Sequence, residues 1–358
     1  MYPTVVRQGA KRVVFGDDIV DFTDAPMPDP LLTVWVGDTQ ELRAPPGGHL
    51  FAYPLAGESN GQIVLVWGEP DSTRAHSRLD WPPPTKLWSA VSLDGVTWSD
   101  PVLVLNETSR VWGATHGPSF AASRDGVLHL ATPVREGLMY LRYEHGWHAR
   151  RIPTVDGAAE ATIVSDTSGT HIVVAFLGAL AVVGGDENSV FVTRSDDAGG
   201  SWSAPALVRR SGAHPAFNPI LLRTGQNDLD LLWAQDTGGD ELPDAVMHYA
   251  SNDAGVTWAP QDSLSVGHGI LRLLAAGDRC GAVHVLFEDW TTRFSGVHTE
   301  YVRLVAHHWT DVRHLFAGMG LGTGTLVAAG DSLSWIGNRF RGGEPISTAY
   351  MTMAIGRW

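Results

Sequence analysis

A short segment recurs three times in this chain and constrains its fold more than any other feature. Residues 195–202 read Ser-Asp-Asp-Ala-Gly-Gly-Ser-Trp, residues 251–258 read Ser-Asn-Asp-Ala-Gly-Val-Thr-Trp, and residues 92–98 give a version one residue shorter. An Asp side chain accepts hydrogen bonds from the backbone N–H groups that follow it, and Gly supplies the positive φ that closes a tight turn. The Trp then leaves the turn as a large apolar anchor. Each copy therefore predicts a hairpin turn, with its Trp in the core.

The repeated pattern, Ser-x-Asp-(x)-Gly-x-Ser/Thr-Trp, resembles the Asp-box of the sialidase-like β-propellers. In that family the box lies on the hairpin between the third and fourth strands of a blade, on the face opposite the active site. The resemblance implies a propeller architecture for the whole chain. It indicates which face carries the function and does not identify the reaction.

The pattern of apolar runs and turns divides the chain into six units. They start near residues 49, 115, 159, 214, 268 and 325, at spacings that suit propeller blades with loop insertions. We predict a single all-β domain over residues 1–358, a six-bladed β-propeller of four-stranded antiparallel blades. The sixth unit ends one strand short, so residues 1–36 are expected to complete the last blade, with 5–15 as the outer strand that closes the ring. A seven-bladed ring that uses more of residues 17–36 is the alternative.

Charge and cysteine content narrow the class of partners. The formal net charge is −14, which disfavours a nucleic-acid backbone or an anionic membrane surface. The one cysteine, Cys280, excludes an internal disulfide framework. The N-terminal region lacks the apolar core of a signal peptide, and no apolar run is long enough to span a bilayer. We expect a cytoplasmic monomer that binds a small molecule or a glycan.

The blade entries carry the candidate catalytic residues. In a propeller, the first strand of each blade starts on the face opposite the boxes, and five of the six entries begin with a His or a Glu. Such groups indicate general acid–base chemistry. A divalent metal held by axial His side chains and a hydrogen-bonded lining of a wet channel are the alternatives, and no cofactor is predicted beyond such a metal. The predicted catalytic residues are His49, His116, Glu160, His214 and His268.

The loops between second and third strands return to the same face, and residues 177–188 are predicted as one of them. Long loops on a rigid scaffold are where binding residues usually lie. Guanidinium groups bind carboxylates through paired hydrogen bonds, so these loops suit an anionic ligand such as a uronate or a sialate. The predicted substrate-binding residues are Arg74, Arg135, Glu288, Arg293, Arg339 and Trp81.

The active site of the sialidases is not matched. That family carries Arg-Ile-Pro upstream of its first box, whereas the only copy here is at 151–153, between the second and third blades. Propeller polysaccharide lyases, which use His and Tyr as base and acid and Arg to neutralise a uronate, are similar in the kind of residues present.

The sequence therefore predicts an enzyme of glycosidase or lyase type that acts on a sugar-like or other small polar substrate. It would use His/Glu acid–base chemistry, with Arg anchoring an anionic group. A cytoplasmic lyase, cyclase or isomerase of a small metabolite is one alternative. A non-catalytic propeller that binds carbohydrate or another ligand is the other.

Overall fold

The structure is a computed structural model that describes most of the chain. The described residues are 4–8, 11–15, 32–36, 39–43, 52–70, 84–106, 120–134, 136–182, 185–212, 214–239, 242–267, 269–290, 297–317, 324–329, 332–341 and 344–354. This part of the chain forms 29 β-strands and contains no helix, which confirms the all-β class. Within the same residues, no helix is long and apolar enough to cross a membrane.

Two antiparallel hairpins come first in the described chain. β1 (Thr4–Gln8) pairs with β2 (Lys11–Phe15), and β3 (Leu32–Val36) pairs with β4 (Thr39–Arg43). Residues 5–15 were expected to form one outer strand of the last sheet. They instead contain two β-rich runs that pair with each other, so closure of the ring by an outer strand is not confirmed.

Larger antiparallel sheets follow, each built from strands that are consecutive in sequence. Sheet one contains β5 (Ala52–Ser59), β6 (Gln62–Pro70), β7 (Pro84–Ser92) and β8 (Val102–Leu105). Sheet two contains β9 (Phe120–Ala122), β10 (Leu128–Val134), β11 (Gly137–Tyr143) and β12 (Trp147–Ile152). Sheet three contains β13 (Ala159–Ser165), β14 (Ile172–Val182), β15 (Gly185–Ser195) and β16 (Ala206–Arg209).

The remaining sheets follow the same order with small additions. Sheet four contains β17 (Ala216–Arg223), β18 (Leu229–Gln235), β19 (Ala245–Ser251), β20 (Ala259–Pro260) and β21 (Leu264–Ser265). Sheet five contains β22 (Gly269–Gly277), β23 (Val283–Trp290), β24 (Val297–Val305), β25 (His308–Trp309) and β26 (Arg313–Ala317). Sheet six contains β27 (Gly324–Ala329), β28 (Ser332–Arg341) and β29 (Glu344–Ala354). The short strands β20 and β21 both pair with β19, and β25 and β26 both pair with β24.

Consecutive sheets pack face to face and bury their apolar side chains between them. Val173 of sheet three lies in one cluster with Trp233 and Tyr249 of sheet four. Similar clusters join sheets one and two, two and three, four and five, and five and six. Each fully buried large apolar side chain contributes roughly 1.5–3 kcal/mol. This stacking in chain order is the arrangement that a propeller requires.

The N-terminal strand β1 lies beside β5 and β27, the first strands of sheets one and six. The two N-terminal hairpins are therefore associated with the region between the last sheet and the first. That is where the seven-bladed alternative places an additional blade, so the count of six stays a prediction.

The turns predicted from the recurring segments are confirmed in their geometry. In residues 195–202, Ser195 Oγ donates to Asp197 Oδ1 at 2.8 Å, and the N–H of Ser201 donates to the same oxygen at 2.7 Å. Gly199 has a φ of +84°, and Trp202 packs against the core between sheets two and three. The segments 92–98 and 251–258 make the same kinds of hydrogen bond.

Each of these turns joins a third strand to a fourth, so all three lie at one end of the sheets. We call this the box end. The first strand of each sheet begins at the opposite end, which we call the entry end. Because neighbouring strands are antiparallel, second strands finish and third strands begin at the entry end as well.

One predicted entry-end loop is instead part of the sheet. Residues 177–182 and 185–188 continue the ladder between β14 and β15, with Leu177 opposite Val190 and Leu180 opposite Glu187. The segment that follows Leu177 is Gly-Ala-Leu-Ala-Val, which has no polar or proline residue to interrupt a strand. Sheet three therefore extends at its entry end as a long hairpin.

Candidate functional site

Glu160 lies at the entry end of sheet three, in an irregularity of the first strand. The pairing of β13 with β14 shifts register between Ala159 and Thr162. Glu160 occupies this bulge with a φ of +46°, a region that non-glycine residues seldom adopt. Such bulges re-aim side chains and are common beside active sites.

The first strand of the neighbouring sheet has the same distortion. β17 shifts register between Phe217 and Ile220, and Asn218 within the shift has a φ of +56°. The backbone N–H of Asn218 donates to Glu160 Oε2 at 2.6 Å. The carboxyl group is therefore held between two first strands, each distorted at the corresponding place.

Similar register shifts occur in the first strands of sheets one and five, between Ala52 and Leu55 and between Ile270 and Arg272. A distortion that recurs at the same end of four first strands is a regular structural feature of this end of the molecule and not an accidental irregularity. The sequence signals two of these shifts, because Pro54 and Pro219 lie within them and proline within a sheet is confined to edges, strand starts and bulges.

Burial changes the acidity of Glu160. The residue keeps some exposed surface, but desolvation of its carboxyl group raises the pKa from 4.5 to about 7, and the Asn218 N–H opposes this shift only in part. A carboxyl group with a pKa near neutrality is suited to accept a proton or to give one at physiological pH. Strongly perturbed groups of this kind mark functional sites more often than chance allows.

His214 lies just before β17 and is half-buried. Its Nδ1 is 3.8 Å from Asp236 Oδ2, and its backbone carbonyl accepts a hydrogen bond from Gln235 Nε2 at 2.7 Å. Gly239 donates its N–H to Asp236 Oδ1 at 2.6 Å and has a φ of +82°. A side chain at Gly239 would crowd the His214 ring, so the loop after β18 is shaped to fit this imidazole. Asp236 was not among the predicted site residues.

Glu288, predicted to bind substrate, is buried in β23. Its Oε2 lies 3.6 Å from Nη1 of Arg272, which comes from β22 directly opposite. A buried carboxylate paired in this way is more suited to orienting the arginine than to contacting a ligand itself. Arg272 is half-buried at the entry end and was missed from the sequence, because its charge lies within an apolar strand pattern.

The other predicted site residues stay predictions. Arg339 lies in β28, opposite Ser347, within a stretch expected to be a loop. Its backbone is described and its side chain is not. The residues that lie outside the described part of the chain are His49, His116, His268, Arg74, Arg135, Arg293 and Trp81.

The described residues also contain a group with metal-ligand chemistry, at the opposite end of the sheets. Asp230, His248 and His307 place one ligand atom each within 4.8 Å of one another. This group lies between sheets four and five at the box end. It is separate from the blade-entry histidines that the sequence suggested as metal ligands.

No protein-family model matches the sequence, and no curated protein is significantly similar to it. Solved structures are similar in fold. An ulvan lyase of polysaccharide lyase family PL25, bound to -[GlcA(1-4)Rha3S]-, gives a TM-score of 0.60 at 12% identity over 98% of this chain and 91% of that one. Polysaccharide lyase Uly1 gives 0.54 at 13% identity over 99% and 90%. A protein of unknown function from Dyadobacter fermentans DSM 18053 gives 0.58 at 18% identity over 85% and 94%.

At these identities the likeness concerns the fold alone. The polysaccharide lyases among these structures have propeller-type folds, so the architecture that the Asp-box resemblance predicts is confirmed at that level. The chemistry has to be argued from the side chains of this chain.

Proposed function

We propose that this protein is a carbohydrate-active enzyme that works at the entry end of its sheets, with Glu160 as the proton-transferring group. The observation that carries the proposal is a carboxyl group whose pKa is raised to about 7, on a residue with a φ of +46°. Both the desolvation and the left-handed backbone cost folding free energy. Such costs persist at sites where function selects them.

The substrate class we propose is an oligosaccharide that contains a uronate. Arg272, oriented by Glu288, supplies a cation at the same end of the molecule. The predicted arginines Arg74, Arg135, Arg293 and Arg339 would add to it. A guanidinium group pairs with a carboxylate through two parallel hydrogen bonds, which suits a uronate. One of the structures similar in fold was solved with a glucuronate-containing ligand, which supports testing this class first.

The reaction we propose is a β-elimination. The ionised Glu160 takes the proton from C5 of the uronate, the C5–H electron pair forms the C4–C5 double bond, and the C4–O bond breaks. The leaving oxygen receives a proton from a general acid, for which His214 is the described candidate. Pairing of the uronate carboxylate with arginine favours removal of the C5 proton. No cofactor takes part in these steps.

A glycosidase is the second reaction compatible with the same group. The protonated Glu160 would then give its proton to the leaving glycosidic oxygen. The two reactions use opposite protonation states of one carboxyl group. A lyase reaction leaves an unsaturated sugar, which a hydrolase does not.

The test is a panel of uronate-containing and neutral oligosaccharides, with detection of both reducing ends and unsaturated products. Glu160→Gln keeps the side-chain shape but cannot exchange a proton, so turnover is expected to fall by roughly 10²–10⁴-fold. Glu58→Gln, the same change on an exposed residue at the box end of β5, is expected to leave turnover unchanged. Turnover by Glu160→Gln at the wild-type rate would exclude the mechanism. Binding of a panel member without turnover by the wild-type protein would instead support a ligand-binding propeller.

We further propose that the enzyme is a cytoplasmic monomer, so that its substrate is an oligosaccharide rather than a polymer. A small uronate-type metabolite would fit the same chemistry. Including monomeric uronates in the panel separates these two substrate sizes.

A further inference from the structure

We propose that Asp230, His248 and His307 form a divalent-metal site that joins sheets four and five at the box end. Asp230 lies at the second position of β18, and His248 lies on β19 of the same sheet. His307 comes from the turn between β24 and β25 of sheet five. One carboxylate and two imidazoles from two sheets thus meet at one point.

The distances suit a shared ion. Asp230 Oδ1 lies 2.7 Å from His248 Nε2 and 3.4 Å from His307 Nδ1. Ligand atoms around a tetrahedral zinc ion are separated by about 3.3 Å, from bond lengths of roughly 2.0–2.1 Å. The Asp230–His248 contact at 2.7 Å is a hydrogen bond, so these two groups would have to separate by about 0.6 Å to admit the ion. Thr224 Oγ1 donates to the other carboxylate oxygen, Asp230 Oδ2, at 2.6 Å and orients the group.

The burial of these groups needs an explanation beyond packing. His248 is 0% exposed and Asp230 is 3% exposed. The second imidazole nitrogen of His248, Nδ1, is also buried and makes no hydrogen bond to any described residue. Buried polar groups are usually paired, and each exception calls for a cause. Asp230 and His248 satisfy each other with one hydrogen bond, but the second imidazole nitrogen of His248 stays unpaired among the described residues, so hydrogen bonding compensates for the burial of this pair only in part.

Sheets two and five make the contrast visible. They place a His–Tyr pair at the corresponding positions, with His129 Nδ1 2.6 Å from the Tyr140 hydroxyl and His284 Nδ1 2.9 Å from the Tyr301 hydroxyl. Those pairs are ordinary buried hydrogen bonds. Sheet four has Asp230 and His248 at these positions. His307 of sheet five adds a second imidazole from across the interface between the two sheets.

The turn that presents His307 is held in an unusual conformation. Ala306 and His307 both have positive φ, +49° and +66°, in a two-residue turn where Asn-Gly is the common choice. Trp309 of the same hairpin fixes it by donating Nε1–H to the Asp262 carbonyl at 2.8 Å, and its ring contacts His248 edge-on. The segment 307–309 stands where other sheets carry an Asp-box turn. Its histidine is directed at sheet four.

The ligand set indicates zinc or a related first-row ion. Two imidazoles and a carboxylate are favourable for Zn²⁺ and Co²⁺, and a water molecule would complete a tetrahedron. Because the ligands come from two sheets, the ion would act as a structural cross-link. It lies at the end opposite Glu160, so its role is separate from the proposed catalysis.

The test uses the full chain, stripped with a chelator and titrated with Zn²⁺ and with Co²⁺, whose visible spectrum reports its geometry. His307→Ala is the informative variant, since the residue is exposed and its loss should not prevent folding. His308→Ala, one residue along the same turn, is the matched control. We expect one ion per chain for wild type and His308→Ala, an affinity roughly tenfold or more weaker in His307→Ala, and a rise in Tm with Zn²⁺ that His307→Ala lacks.

Several outcomes would overturn the proposal. Wild-type protein that binds neither ion would leave the cluster as a hydrogen-bonded network only. Equal affinity in His307→Ala and wild type would place any bound ion elsewhere. Equal loss in His307→Ala and His308→Ala would indicate damage to the turn rather than removal of a ligand.

Discussion

Carboxyl groups at the two ends of the sheets show opposite acidities for physical reasons that can be traced to their surroundings. At the entry end, desolvation raises the pKa of Glu160 to about 7, against one opposing backbone hydrogen bond. At the box end, hydrogen bonds from the Thr97 and Val96 N–H groups lower the pKa of Asp94 to about 2. For Asp197, hydrogen bonds from the side chain and then the backbone of Ser201 lower the pKa to about 2.

The difference separates a structural carboxylate from a reactive one. At the box end the charge is exposed and closes a turn, so ionisation favours the fold. At the entry end the charge is enclosed with little compensation, so ionisation opposes the fold and the proton is available for transfer. Experiments that change the residues at each end separately can test this difference in acidity and role.

The largest expected effect is the pH dependence of turnover. If Glu160 is the base of an elimination, kcat/KM should approach a tenfold fall for each pH unit below about 7, or roughly 50-fold between pH 7 and 5. Product formation by wild type over this range measures it, with Glu58→Gln as a control that should follow the same curve. A decline above pH 7 instead would assign Glu160 as the acid of a glycosidase. A flat profile with intact fold would remove it from proton transfer.

The sequence predicted much of this arrangement. The three box segments located the third-to-fourth strand turns of sheets one, three and four, because Asp and Gly at fixed spacing have few other conformations. From there, counting back to the first strand of sheet three placed Glu160 at the entry end. The prediction of a loop at 177–188 was wrong, because an apolar run continues β14 to Val182 and the polar residues 185–188 pair opposite it as the start of β15.

What the sequence could not reveal is contact between sheets. Asn218 of sheet four binds Glu160 of sheet three, and Asp230 of sheet four faces His307 of sheet five. No local pattern encodes such contacts. The segment at 307–309 ends in a Trp as the boxes do, but its partner His248 lies in β19, a nearly continuous apolar run that gives no sign of the contact. The hairpin of β1 and β2 was misread as one strand because residues 5–15 read as a single β-rich run.

The next effect tests whether the box end is a packed structural element. Gly199 has a φ of +84°, and an added Cβ would overlap the Tyr140 ring. Gly61 has a φ of +76°, with no described heavy atom within 4 Å of an added Cβ. Both Gly→Ala variants bear the cost of a left-handed backbone, roughly 1–2 kcal/mol. Only Gly199→Ala adds the clash, so we expect it to cost about 2 kcal/mol more in denaturant unfolding. Equal losses of unfolding free energy in the two variants would mean that the Tyr140 ring moves aside at little cost.

A smaller effect concerns stability at the entry end. The folded pKa of Glu160, about 7, exceeds its ordinary value of 4.5. The protonated side chain therefore stabilises the folded state. That stabilisation is fully present below about pH 4.5 and is lost as pH rises through about 7. Glu160→Gln stays neutral, so relative to wild type it should gain roughly 1–3 kcal/mol between pH 5 and pH 8. Chemical denaturation at both pH values measures this. A difference that does not change with pH would show that the carboxyl group is well solvated.

The smallest effect is the loss of folding stability at low pH that comes from the box end. Here stability falls as pH is lowered, the opposite of the dependence expected for Glu160. The folded pKa of Asp94, about 2, lies below its ordinary value of 3.8. Its contribution is thus present above about pH 4 and is lost as pH falls through about 2. Asp94→Asn should lower Tm by roughly 1–2 °C at pH 6, since the group is exposed and solvent screens its interactions. That gap should close near pH 2. Asp100→Asn, an exposed neighbour just beyond the turn, should show no such gap. If Asp94→Asn lowers Tm equally at both pH values, the amide has disrupted the turn itself. The Asp94 carboxylate would then differ from Glu160 in its hydrogen-bond geometry and not in the effect of its charge on stability.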